Sequence, residues 1–184
     1  MTVKLVALVG TNADFSFNRF LCQFIAKKYA GDADIEVLEI ADLPAFYKEG
    51  QADERVAAFR DKIAAADGVI VSTPEYDHAI PAALKSALEW LGSHAGANVM
   101  AMKPACVVGV SLGGQGASRA QEDAREILLS PDMSANVLPG NELLIGRAYT
   151  TFNKESGELV DEAALAQLDK VMNNFFDFVK QAHK

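Results

Sequence analysis

Two short runs are almost wholly apolar: Val69-Ile70-Val71-Ser72 and Ala105-Cys106-Val107-Val108-Gly109-Val110. A strand with no polar side to turn toward water must be covered on both faces, which is the situation inside a parallel sheet. Parallel neighbours need crossovers, and the segments between the strands supply them. After a first strand over Val3 to Val9, residues Phe17, Phe20, Leu21, Phe24, Ile25 and Lys28 mark a helix that Tyr29-Ala30-Gly31-Asp32 ends. Ile35 to Ile40 reads as a short strand, and Ala41 to Asp53, with Pro44 and Gly50, as a loop. Glu54 to Ala66 is helical, with Val56, Phe59 and Ile63 inward and Asp67-Gly68 as its stop. Pro81 opens a helix carrying Leu84, Leu88 and Leu91, and another helix runs on from a glycine-rich loop to about Leu129. A last strand region lies between Val137 and Ile145, interrupted by Pro139-Gly140. Tyr149 to Gly157 reads as a loop, and Asp161 to about Gln181 as the closing helix.

Strand and helix in strict alternation predict an α/β fold of parallel strands and right-handed crossovers. With about five strands the expected architecture is a flavodoxin-like three-layer sandwich, a five-stranded parallel sheet of order 2-1-3-4-5. The 184 residues suit a single domain. In such sheets a ligand lies beyond the carboxyl ends of the strands, at the switch point between strands one and three. The loops after strands one, three and four are therefore expected at one rim.

The first of these loops runs from Gly10 to Asn18. Hydroxyls of Thr11 and Ser16, the amide of Asn18 and unpaired N–H groups of the helix's first turn can converge on one anion; the competing reading makes Ser16 a plain N-cap. A net charge of −8 and a pI near 4.9 disfavour nucleic acid and anionic membranes as partners, so an anionic ligand needs a local cradle of this kind. Neither GxxxxGK[ST] nor a GxGxxG after the first strand is present. In the second loop Pro74 and Tyr76 offer flat apolar surface, while N–H groups of Glu75, Tyr76 and Asp77 can face the edge of a polar ring. That combination suits an isoalloxazine, and Gly113, Gly114 and Gly116 would let backbone approach its other end. The competing reading there is a proline-stiffened turn and a glycine cluster beside a helix. Cys22 and Cys106 lie in apolar runs without metal-ligand spacing and read as buried thiols of a reducing compartment. No stretch is long and apolar enough to span a bilayer, and the chain enters a strand pattern without a signal-like segment, so a cytoplasmic location is expected.

Taken together these stretches resemble the NADPH-dependent FMN reductase family of flavodoxin-like proteins, which includes quinone, azo-dye and chromate reductases. Gly10 to Asn18 is similar to that family's G-S-x-R-x-x-S-x-N. Pro74-Glu75-Tyr76-Asp77, with Pro81 to Trp90, is similar to its P-E-Y-N and P-x-x-L-K-N-x-x-D-W, and Gly113 to Gln121 to its G-G-x-R-A-Q. The resemblance implies that Thr11, Ser16 and Asn18 hold the FMN phosphate with Phe17 helping through its backbone. It places Pro74, Glu75, Tyr76 and Asp77 along the isoalloxazine, and Ser111, Gly113, Gly114 and Gly116 on its pyrimidine side. Ala13 stands where the family has an arginine, so that either Arg19 compensates or FMN binds weakly and behaves as an exchangeable substrate, and Asp77 replaces an asparagine. The implied reaction carries hydride from nicotinamide C4 of NADPH or NADH to flavin N5, then electrons to a small-molecule acceptor such as a quinone, azo compound or flavin. No protein acid, base, nucleophile or metal is required for it, and His78 reads as an exposed loop residue. A homodimer or homotetramer is implied, through the region after the second loop. The helix bearing Lys85, Glu89 and Trp90 is its candidate surface, against the simpler reading of an i,i+4 ion pair and a packed indole. The second functional reading is a non-enzymatic electron carrier or FMN-binding module.

Overall fold

The computed structural model describes residues 2–47 and 53–183. The elements follow in the order β1 (Val3–Val9), α1 (Phe17–Lys28), β2 (Ala33–Leu38), α2 (Glu54–Ala65), β3 (Gly68–Thr73), α3 (Ala82–Glu89), β4 (Pro104–Val110), α4 (Ser118–Leu129), β5 (Asn136–Val137), β6 (Leu144–Ile145), α5 (Ala148–Thr151) and α6 (Glu162–Ala182). All strand pairs are parallel and the sheet runs 2-1-3-4, with β5 and β6 sharing the fifth place beside β4. β5 meets the start of β4 (Pro104 beside Asn136) and β6 its end (Gly109 beside Leu144), so the chain leaves the sheet at Pro139-Gly140 and returns one strand-length on.

Alternation along each strand sends neighbouring side chains to opposite faces. Leu5, Ala7 and Val9 of β1 and Cys106, Val108 and Val110 of β4 pack under α1 and α6, with Phe175 and Met172 fully covered. Val6 and Leu8 of β1 and Ala105 and Val107 of β4 pack under α2, α3 and α4, against Ile63, Leu84 and Leu128. The apolar runs that announced central strands are thus divided between two cores.

Local boundaries differ from the sequence reading at β2, at Gly68 and after Tyr149. β2 starts at Ala33 and stops at Leu38, because it follows β1 from Val3 to Leu8 and is already engaged at Ala33, whose N–H donates to Tyr29. Gly68 does not stop α2 but opens β3 beside Leu5, where a Cβ would press on Val179, Leu5 and Phe175. The helix end is served instead by the Lys103 ammonium, which donates to the carbonyls of Ala64 and Ala66 at 3.3 and 2.5 Å. The segment expected as a loop from Tyr149 carries α5, formed because Arg147 at φ 52° turns the chain and Ala148 N–H donates to Ser111 O. Trp90 is buried: its ring meets Phe46 at 4.9 Å and its Nε1–H donates to Pro44 O, so the indole belongs to the chain's own packing. Residues 41–47 are non-helical, as expected of that loop, whereas Gly50 lies outside the described residues.

Candidate functional site

The carboxyl ends of β1, β3 and β4 open into a cavity of about 540 Å³, within the range usual for small-molecule sites. Of the residues expected at a site, Ser16, Phe17, Asn18, Pro74, Glu75, Tyr76, Ser111, Gly113 and Gly114 line it; Thr11, Asp77 and Gly116 do not.

β1 is followed by Gly10, whose N–H donates to Ser72 O at 2.8 Å and where a Cβ would collide with that carbonyl. The following loop delivers Ser16 to the start of α1, where its hydroxyl oxygen accepts from the N–H groups of Asn18 and Arg19 at 3.1 and 3.4 Å. Ser16 is therefore an N-cap and also lines the cavity, with its own hydroxyl proton left to donate. The Phe17 N–H has no partner among the described residues. Asn18 is otherwise committed. Its Nδ2 donates to Val110 O, and its Oδ1 accepts from Val110 N–H and from the Ser72 hydroxyl, all at 3.0 Å. Thr11 is 1% exposed; its hydroxyl accepts from Ala13 N–H at 3.2 Å and pairs with the Tyr76 hydroxyl at 3.1 Å. It ties the first loop to the loop after β3 from behind the cavity wall.

Arg19 does not replace the cation missing at Ala13. Its Nε and Nη2 donate to the Glu39 carboxylate at 2.6 and 2.9 Å, and the same guanidinium donates to Asp14 O and Ala13 O. The bond to Glu39 holds its pKa above the usual value. The side chain supports the loop from below and its charge is spent there.

After β3, Tyr76 and Ala79 exchange both backbone hydrogen bonds at 3.0 Å, closing a tight turn in which Asp77 and His78 have φ 49° and 70°. The Tyr76 N–H expected to face a ring is thus used, while those of Glu75 and Asp77 have no partner among the described residues. The Glu75 carboxylate accepts from Arg119 N–H at 3.1 Å and from its guanidinium at 3.4 Å. It caps α4 from a different loop, since that helix's own N-cap, Ala117 at φ 59°, has no oxygen to offer. After β4, Ser111 donates to Gly113 O at 3.1 Å, and the N–H groups of Leu112, Gly113 and Gly114 have no partner among the described residues. Gly116, at φ 61°, lies under the Leu144 backbone, where any Cβ would collide; Gln121 fixes it there by donating to Gly116 O and Leu143 O at 2.9 and 2.8 Å. Its glycine serves packing.

Sequence reasoning missed the lining side chains of Phe15, Leu112, Gln115 and Tyr149, besides the smaller surfaces of Val110, Ala117 and Ala148. Phe15 and Tyr149 meet the buried Phe17 ring edge-on at 5.1 and 5.2 Å and stand 46% and 60% exposed at the mouth. An aromatic residue next to Ser16 in a polar loop was a usable signal for the first. Nothing local marked Tyr149, which arrives through the turn from β6 into α5.

The assembled wall has flat apolar flanks, a row of unpaired backbone donors and, at one end, a helix start carrying a free hydroxyl proton. That set can hold a planar heterocycle by stacking and edge hydrogen bonds and seat an attached polar chain at Ser16.

Residues 3–150 match the family model described as NADPH-dependent FMN reductase. Over 184 aligned residues the chain is 64% identical to NADH-dependent flavin reductase subunit 2 of Lactobacillus johnsonii, covering 99% of this chain and 100% of that protein. It is 46% identical to an NADH:(hydroxy)cinnamate reductase subunit of Vibrio ruber, covering 99% of this chain and 90% of that one. The structure of a flavoenzyme NAD(P)H:(acceptor) oxidoreductase from Paracoccus denitrificans superimposes with a TM-score of 0.87 at 27% identity, covering 98% of this chain and 99% of that one.

Proposed function

This chain belongs to the NADPH-dependent FMN reductase family, and from that membership we propose that the cavity at the ends of β1, β3 and β4 is where it takes up a flavin. The protein is an NAD(P)H-dependent oxidoreductase of the flavin and quinone reductase class. A bound flavin supplies the chemistry, accepting hydride from the nicotinamide and giving electrons to a second acceptor. The protein's part is to hold, orient and shield. Pro74 and Tyr76 flank the ring, the N–H groups of Glu75, Gly113 and Gly114 meet its polar edge, and Ser16 with the Phe17 N–H receives the phosphate. Asn18 and Thr11 act one layer out, by fixing α1 and the Tyr76 hydroxyl.

The observation that carries this reading is the set of unpaired N–H donors and flat side chains from three separate loops around one cavity. NADH is the proposed donor, since both relatives' names specify it. The acceptor is a small molecule: a quinone, an azo compound or flavin itself. We also propose an oligomer, a homodimer by the family resemblance; the word subunit in both relatives' names makes a pair with a different chain the alternative, and the mass of the purified protein in solution distinguishes them. NADH oxidation with added FMN and a quinone tests the activity. NADH oxidation that depends on added FMN is expected, with quinone needed only if flavin is not itself the final acceptor, whereas a chain that binds FMN and oxidises neither nicotinamide is a carrier. Saturating FMN should also raise the melting temperature, since ligand at ~100 times its Kd adds ~2.7 kcal/mol; no shift refutes the cavity assignment.

A further inference from the structure

The loop between β1 and α1 reaches the cavity with two uncharged donors, the proton of the buried Ser16 hydroxyl and the Phe17 N–H. Ala13 carries no charge, and Arg19 is spent on Glu39 and on the loop's own carbonyls. Among the lining residues only Glu75 is ionised, and it pairs with Arg119. A cation for a phosphate at Ser16 has to come from just outside the lining.

The turn between α5 and α6 brings one. Phe152 and Leu159 pair across it, and Asn153 Oδ1 accepts from the N–H groups of Glu155 and Ser156 at 2.9 and 3.1 Å. Gly157, at φ 71°, closes it by donating to Asn153 O at 2.8 Å. Three contacts hold the turn against α1: the Phe152 ring lies 5.7 Å from that of Phe17, Gly157 leaves so little room that a Cβ would stand 3.3 Å from the Phe20 ring, and Glu158 pairs with Lys27 at 2.9 Å. From this fixed turn the exposed Lys154 sets its ammonium 5.5 Å from the centre of the Phe15 ring, the residue before Ser16, and it makes no ion pair among the described residues. Arg147, exposed beside the lining Ala148, instead lines a neighbouring cavity with Asp161 and Gln167.

Resting on the flavin reading above, we infer that Lys154 is the cation of the phosphate subsite: its ammonium, held on the face of Phe15, pairs with the phosphate of FMN received at Ser16 and the Phe17 N–H. The charge absent at Ala13 is thus supplied by a turn outside residues 3–150, the part that matches the family model. An exposed cation–π contact is weak and easily given up, whereas a phosphate offers an ammonium charge-assisted hydrogen bonds. The flexible four-carbon stem of a lysine lets the ammonium follow the phosphate without movement of the turn. In a chain of net charge −8, a single local cation also offsets a field that opposes a dianion.

Fluorescence titration of the full chain with FMN and with riboflavin, at low and high salt, tests this. The unsubstituted chain should prefer FMN, and Lys154→Met should cut that preference about tenfold while riboflavin affinity stays unchanged, the size of one charge-assisted hydrogen bond. Lys154→Arg should restore most of it, and Arg147→Ala should leave it in place. High salt should shrink the FMN preference of the unsubstituted chain more than that of Lys154→Met, because it screens an attraction that the variant lacks. No FMN preference in the unsubstituted chain, equal losses of both flavins in Lys154→Met, or a preference that survives Lys154→Met and falls with Arg147→Ala each overturn the assignment. A chain that binds neither flavin refutes the flavin reading itself, whereas binding of both that ignores Lys154 refutes only the role of this residue.

Discussion

Asn18 is 2% exposed and holds Val110 and Ser72 through its Oδ1 and one Nδ2 proton, joining α1 to the ends of β3 and β4. Truncation to alanine leaves a buried N–H and a buried C=O of Val110 without partners. A loss of about 2 to 3 kcal/mol is expected for Asn18→Ala, read as a fall in the denaturant midpoint at unchanged slope. Asn18→Asp replaces the donor by a buried carboxylate facing the Val110 carbonyl and should cost at least as much, the loss easing as pH falls and the carboxyl protonates. Ser16→Ala is milder in stability, about 1 kcal/mol for a lost cap, but it removes a donor at the cavity and should weaken FMN more than riboflavin by about tenfold or more, measured by fluorescence titration with the two flavins. The residue types at this loop were legible because hydroxyls and amides next to a helix start have few other uses. The division of labour was not. Asn18 is one of several amides that could face a ligand, and only the fold brings Val110, 92 positions away, against it.

At the scale of elements, α4 begins without a cap of its own and borrows the Glu75 carboxylate. Glu75→Ala should therefore fray the first turn of α4, speeding amide exchange at Arg119 and its neighbours and costing about 1 kcal/mol, while Glu75→Gln, which still accepts, recovers most of it. The same substitution loosens the cavity wall, because the loop after β3 and the start of α4 are held together through this carboxylate. Strand and helix order could be read from apolar periodicity, since β3 and β4 have no polar face to conceal their burial. Boundaries set by pairing could not: β2 takes its limits from β1, and Gly68 is small because Phe175 and Val179 press on β3, which no local pattern reveals.

For the whole molecule, the two thiols and one phenol report on integrity. Burial pushes both Cys22 and Cys106 up to about 12, so neither should react with thiol reagents at neutral pH until the sheet opens, and labelling rates should follow global unfolding. Tyr29 closes α1 onto α6 by donating to Asp169 at 2.6 Å, and burial followed by that bond raises its pKa. A raised pKa stabilises the fold below the unfolded value near 10 and loses that contribution as pH climbs above it. Asp169 moves the other way, lowered first by the Tyr29 bond and then by Lys28, so its contribution is present above about pH 4 and fades on acidification. Tyr29→Phe should flatten both limbs of the stability profile between pH 2 and 11 and leave the middle lower; an unchanged profile contradicts the pairing.

The fifth place in the sheet is filled by two segments of two residues each, separated by Pro139 and Gly140. The opposite border, β2, carries Asp34 and Glu36, the latter paired with Lys62. The β5/β6 margin therefore offers only short runs of backbone, and β2, which is paired on one side only over Ala33–Leu38, presents charged side chains that oppose the addition of another strand. Crowded copies of this protein meet one broken margin and one charged margin, so resistance to amyloid-like stacking is built into the sheet.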